Sequence, residues 1–154
     1  MSILKGKGII VLKNELIMCW ISRNTPIKRK ANQDITVYKI LRISGDKSIH
    51  SPIYHTVWYI GQCKEDHNLY VYFEGSYYIS SGFHSLRRKP LIVEMRSFCT
   101  YYEWVDGETK ISIFSKGYND YVFKCVIPKG STYYENENGE IVSNKLIIVK
   151  QCNV

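Results

Sequence analysis

The stretch Ile35-Thr36-Val37-Tyr38-Lys39-Ile40-Leu41-Arg42-Ile43 decides how this chain reads. Side chains of a strand alternate between two faces, so a period of two sorts these nine residues into two sets. Ile35, Val37, Lys39, Leu41 and Ile43 form one set, and Thr36, Tyr38, Ile40 and Arg42 form the other. The pattern predicts a buried strand with one interrupted face. The surrounding composition agrees with it. The chain has 13 tyrosines in 154 residues, and Ala31 is its one alanine. Aromatic and β-branched side chains suit a pleated, half-buried surface, whereas a helical bundle is built from the residues this chain lacks.

Working outward, Gly8–Leu12 and Leu16–Ile21 flank Lys13-Asn14-Glu15 and read as a hairpin. Downstream, Tyr54–Ile60, Leu69–Phe73, Tyr77–Ser80, Thr109–Ser115, Tyr121–Ile127 and Ile141–Val149 read as strands. Turn signals separate them, among them Ser44-Gly45-Asp46, Glu74-Gly75-Ser76, Pro128-Lys129-Gly130 and Asn138-Gly139. Asp106-Gly107, between two alternating segments, is the strongest hairpin signal, because both residues tolerate positive φ. Leu91–Tyr102 fits strand or helix. Phe83–Lys89, stopped by Pro90, reads as one or two helical turns entered from Ser80-Ser81-Gly82. The expected fold class is α+β, mostly antiparallel β-sheet with one or two short helices. Residues 1–22 read as an N-terminal hairpin or extension, 23–34 as an exposed basic connection, and 35–154 as a single β-rich domain.

Charge and cysteine narrow the setting. Twenty-one Lys and Arg against fourteen Asp and Glu leave a net +7, which favours anionic partners: a nucleotide, nucleic acid or an acidic protein. Basic residues gather at Arg23 with Lys28-Arg29-Lys30, and at Arg87-Arg88-Lys89. The five cysteines, Cys19, Cys63, Cys99, Cys125 and Cys152, are odd in number and form no CxxC pair. That pattern fits neither a zinc framework nor a secreted disulfide scaffold and points to a reducing cytoplasm. Cys99 and Cys125 read as small buried apolar groups. Apolar runs reach about five residues, far short of a membrane span. Lys5, Lys7 and Lys13 interrupt any signal-type apolar region. No Gly-rich phosphate loop and no ligand spacing for a metal occurs, so no cofactor and no metal are expected. A pairing edge strand would allow a homo-oligomer.

Three segments together, Met18–Leu41 with its MCWISRN and DITVYKIL, Ser80–Leu86 (SSGFHSL), and Phe123–Lys150, resemble small proteins encoded by phages and prophages of Bacteroides-type gut bacteria. Such proteins often begin at a Met-Cys pair like Met18-Cys19, which would make Met1–Ile17 an extension. The resemblance implies the cytoplasm of a bacterial host but no established activity; by analogy, the phage setting points to interference with host defence, by binding a host protein or sequestering a nucleotide signal. A more distant set resembles the ADP-ribosyltransferases. Arg42 stands for the first-strand arginine, Ser80-Ser81 for the central serine strand, and Glu137 in Glu135–Glu140 for the Glu-x-Glu carboxylate. The resemblance implies that Arg42, Ser80 and Glu137 line one cleft.

The residues support two further candidates. Ser80, Ser81 and the amides around Gly82 would open a helix and bind an anion at its N-terminus. Arg87 and Arg88 would add bidentate phosphate contacts, and His84 an acid or base. The candidate ligand-binding set is therefore Arg42, Ser80, Ser81, His84, Arg87, Arg88 and Glu137, with no catalytic residue assigned. The expected function is non-enzymatic recognition of an anionic small molecule or a protein. The alternatives are a transferase-like enzyme or its inactive relative, and a nucleic-acid binder.

Overall fold

A computed structural model describes the backbone of residues 2–4, 9–12, 15–17, 20–51, 56–89, 91–94, 100–105, 108–113 and 119–152. It describes side chains within 20–51, 56–89 and 121–152. In chain order the strands are β1 (Ser2–Leu4), β2 (Ile9–Leu12), β3 (Glu15–Ile17), β4 (Ile21–Ser22), β5 (Arg29–Lys30), β6 (Ile35–Ile43), β7 (Ile49–His50), β8 (Val57–Trp58), β9 (Cys63–Glu65) and β10 (Tyr70–Phe73). They continue as β11 (Tyr77–Ser80), β12 (Phe83–Leu86), β13 (Leu91–Glu94), β14 (Thr100–Val105), β15 (Glu108–Ile113), β16 (Asn119–Ile127), β17 (Thr132–Glu135), β18 (Glu140–Ser143) and β19 (Lys145–Gln151). Among the described residues there is no helix. The α+β expectation is therefore corrected to all-β.

The correction has a local cause. Phe83–Leu86, expected as a helical turn, is β12, in the middle of the largest sheet. Its register on β18 runs from Phe83 opposite Ser143 to Leu86 opposite Glu140, and Leu86 also pairs with Tyr38 of β6. Four residues cannot hold a helix by themselves, because nucleation costs more than one turn returns. Two neighbouring strands offering hydrogen bonds decide the matter. No helix N-terminus exists at Ser80-Ser81, so the anion site expected there on that ground falls as well. Leu91–Tyr102 divides into β13 and the start of β14.

Ile35–Ile43 forms the central strand over the range expected. It pairs antiparallel with β16 along its full length, Ile35 opposite Ile127 and Ile43 opposite Asn119. The large sheet runs β5-β17-β18-β12-β6-β16-β19-β9, with β7 and β8 extending from β6. On one face of β6, Val37 and Leu41 are fully buried against Phe123, Cys125, Ile127, Ile141, Leu146 and Ile148. On the other face Ile40 packs with Leu86 and Val122. Residues 23–34, expected as an exposed connection, contribute β5, which pairs with β17. Sheets β1-β2-β3 and β13-β15-β14 are three-stranded. The hairpins expected around residues 13–14 and 106–107 appear as β2 against β3 and β14 against β15. The linking residues themselves lie outside the described set. Cys99 lies outside it too.

A separate small sheet, β10-β11-β4, leans on the large one. Trp20, Ile79, Tyr134 and Val142 form the apolar joint. A buried polar knot reinforces it. Trp20 Nε1 donates to the Glu140 carbonyl at 2.8 Å. Asn136 Nδ2 donates both to the Ile21 carbonyl at 2.8 Å and to Glu140 Oε1 at 3.0 Å. Asn136 Oδ1 accepts from the amides of Asn138 and Glu140. Every partner of this amide side chain is thus satisfied, as burial requires.

Candidate functional site

The two sheets flank a half-open cavity of about 530 Å³, within the size range of small-molecule sites. Its chemistry begins with the residue that breaks the apolar face of β6. Strand alternation puts Lys39 between Val37 and Leu41, facing the core side. There its ammonium donates to the His84 carbonyl at 2.7 Å and lies 5.8 Å from the centre of the Trp58 ring. Lys64 of β9 reaches the same ring at 5.3 Å. No carboxylate among the described residues forms an ion pair with Lys39. Burial pushes its ammonium down to about 8.

Trp58 is held rigidly. It is 2% exposed, donates Nε1 to Ser51 Oγ at 3.0 Å, and meets Phe83 edge-on at 5.3 Å. The opposite wall comes from the small sheet, where Tyr72 and Tyr78 stack at 5.3 Å and 16°. The two walls meet at Ser80-Ser81-Gly82, where the chain leaves one sheet for the other. Ser81 has φ 64° and Gly82 φ 81°. A Cβ on Gly82 would fall 2.3 Å from Leu69 Cδ2 and 2.6 Å from Val142 Cγ1, so only glycine fits. The Gly82 amide donates to Asp66 Oδ2 at 3.0 Å. This bond and a second from the Asn68 amide hold the Asp66 carboxyl below its ordinary value.

Ser80, Ser81 and His84 line this cavity, together with residues the sequence reading passed over, above all Lys39, Trp58, Tyr72 and Tyr78. Burial, and then the charge of Lys39, push the His84 imidazole down to about 3, so it is neutral at pH 7 and offers one donor and one acceptor. The other expected residues lie elsewhere. Arg42 follows Tyr38 and Ile40 on the opposite face of β6 from Lys39, with His50 and Asp120 as its backbone neighbours. Arg87 is engaged in a bidentate pair with Glu135, Nη2–Oε1 2.7 Å and Nε–Oε2 3.1 Å. Arg88 is exposed just past β12. Glu137 sits at the exposed β17–β18 tip, accepts from Ser22 Oγ at 3.1 Å, and lines two smaller recesses beside Asn24. Arg42, Ser80 and Glu137 therefore do not share a cleft.

The missed signal was present in the sequence. Lys39 is the lone charged residue in the set Ile35, Val37, Lys39, Leu41 and Ile43. A charge at a core-facing strand position is costly unless it is paired and hydrogen-bonded, so its presence there marks a position to inspect. Among the described residues, no group of three His, Cys, Asp or Glu side chains is placed to hold a metal ion. No helix there is long and apolar enough to cross a membrane. No family model matches the chain, and no curated protein or solved structure is significantly similar to it.

Proposed function

We propose that this protein is a non-enzymatic binder of a small anion carrying an aromatic group, such as a nucleotide, in the cavity between β6, β8, β11 and β12. One observation carries the reading: among the described residues the half-buried Lys39 ammonium has no carboxylate ion-pair partner, and it lines a cavity walled by Trp58, Tyr72 and Tyr78. A half-buried cation is stabilised when an anion joins it at a site shielded from water. The aromatic walls suit a planar ring. Ser80, Ser81 and neutral His84 supply polar contacts that orient the ligand without adding charge. The resemblance to phage proteins supplies a setting in which sequestering a nucleotide signal of the host is useful.

Thermal denaturation with mono-, di- and cyclic nucleotides tests the reading. A ligand that binds only the folded state stabilises it by RT ln(1 + [L]/Kd), about 2.7 kcal/mol at a hundredfold excess over Kd. The shift is expected with the wild type and lost in Lys39→Met, which keeps the volume but removes the charge. No shift with any nucleotide would sink the proposal. Turnover of a dinucleotide, with release of free nicotinamide, would instead favour a transferase.

A further inference from the structure

We propose that the cavity takes its anion as one nucleotide of a single-stranded nucleic acid, whose neighbouring base stacks on the exposed tyrosine row of β10. The inference rests on the anion-binding reading above and names the class of ligand.

The argument starts from an edge strand that, among the described residues, carries no charged side chain. Exposed edges are commonly blunted by charge. The large sheet does this at both ends: β5 is Arg29-Lys30, and β9 carries Lys64 and Glu65. β10 is the edge of the small sheet, and it reads Tyr-Val-Tyr-Phe. All four residues are exposed, Tyr70 at 58% and Phe73 at 65%. Such a surface costs solubility unless something covers it.

The rings are arranged in a row that begins inside the cavity. Tyr78 lies opposite Tyr72 in register, and both line the cavity. Tyr70, two residues from Tyr72 and so on the same face, places its ring 6.1 Å from it at 45°. The row runs from the cavity end, where Lys39 sits and Lys64 reaches the Trp58 ring, to open solvent. A positive groove continued by aromatic platforms is how proteins hold single strands without reading sequence, because every base has a π-face. The acids nearby have partners, although Asp66, held in its ionised form, is itself part of the cavity lining. Glu65 pairs with Lys145 and His67, and Asp66 accepts two backbone amides. Glu74 stands at the far hairpin turn, which limits how far an anionic strand can extend. The net charge of +7 adds long-range attraction.

Phe73 provides an internal control. It is opposite Tyr77 on the other face of the hairpin, 4.9 Å ring to ring. A nucleic acid lying on the tyrosine row does not touch it, whereas a strand pairing along the β10 edge buries both faces.

The experiment measures two affinities: thymidine monophosphate by calorimetry, and a labelled oligothymidylate of about twelve residues by fluorescence anisotropy. The oligonucleotide is expected to bind more tightly, with log K falling as log salt rises. Tyr70→Ala should weaken the oligonucleotide about tenfold and leave the monophosphate unchanged. Phe73→Ala should change neither. Lys39→Met should abolish both. If the monophosphate binds but the oligonucleotide binds no better, or Tyr70→Ala has no effect on it, the inference is overturned and the anion reading stands. If neither binds, both fall. A dimer in sedimentation that Tyr70→Ala and Phe73→Ala each dissolve would also overturn it, by showing that a second copy covers the edge.

Discussion

Glu140 and Lys39 both shape the pH response, and they act in opposite directions. Burial holds Glu140 neutral up to about 7, outweighing the hydrogen bond from Asn136. Its folded value is raised above the ordinary 4.5, so its favourable contribution is complete below 4.5 and is lost as pH rises through 7. The loss amounts to at most about 3 kcal/mol. Glu140→Gln keeps the acceptor for Asn136 and cannot ionise. Urea denaturation is therefore expected to show the variant gaining stability relative to the wild type between pH 5 and pH 8, the contribution of His84, which favours the higher pH, being common to both. Lys39 works the other way. Its folded value, about 8, is below its ordinary 10.5, so stability increases between those values as the buried charge is released. On the proposed function, the same titration removes the cation that attracts the ligand. Nucleotide affinity is expected to decline above pH 8, and a titration series at pH 7, 8 and 9 checks it. An affinity that persists unchanged at pH 9 would mean that Lys39 does not hold the anion.

At the scale of elements, the corner between β11 and β12 does most to shape the cavity. Gly82 at φ 81° faces Leu69, Val142 and the Ser143 carbonyl with no space for a methyl group. Gly82→Ala is expected to cost about 2–4 kcal/mol, combining backbone strain with overpacking. Gly45, with nothing within 4 Å of a built Cβ, is the matched control, and Gly45→Ala should be near neutral in the same melting experiment. The corner also explains why β12 escaped the sequence reading. Ser-Ser-Gly ahead of Phe-His-Ser-Leu-Arg-Arg-Lys has the composition of a capped helix start. Only β18 and β6, distant in sequence, make it a strand. Ser81, left-handed without being glycine, belongs to the strained positions that gather at binding sites.

At the scale of the molecule, the cavity exists because two sheets are joined. Its cationic wall belongs to β6 and its tyrosine wall to β10 and β11, so whatever loosens the joint should loosen ligand binding. Asn136→Ala removes the donors to Ile21 and Glu140 and leaves buried acceptors unpaired. A loss of about 1–3 kcal/mol is expected. Nucleotide affinity should drop with it, although Asn136 does not line the cavity. Denaturation and calorimetry on one preparation would show both effects together. A variant with intact affinity would show that the small sheet holds its place without the knot.

The sequence by itself determined most of the strands, though not β5 or β12. Alternation in Ile35–Ile43, the Asp-Gly and Asn-Gly turns and the tyrosine-rich, alanine-poor composition are local properties, and each is readable without a neighbour. Alternation also placed Lys39 on the core-facing set, though not the use made of it. Tertiary structure alone decided which strands meet. It brought Lys39, His84, Trp58 and Tyr72 around one cavity, turned Arg42 to the opposite face, and engaged Arg87 with Glu135. The reason is physical: pairing register and side-chain burial depend on contacts between segments 40 to 120 residues apart, and a linear pattern carries no information about which partner a strand edge will find.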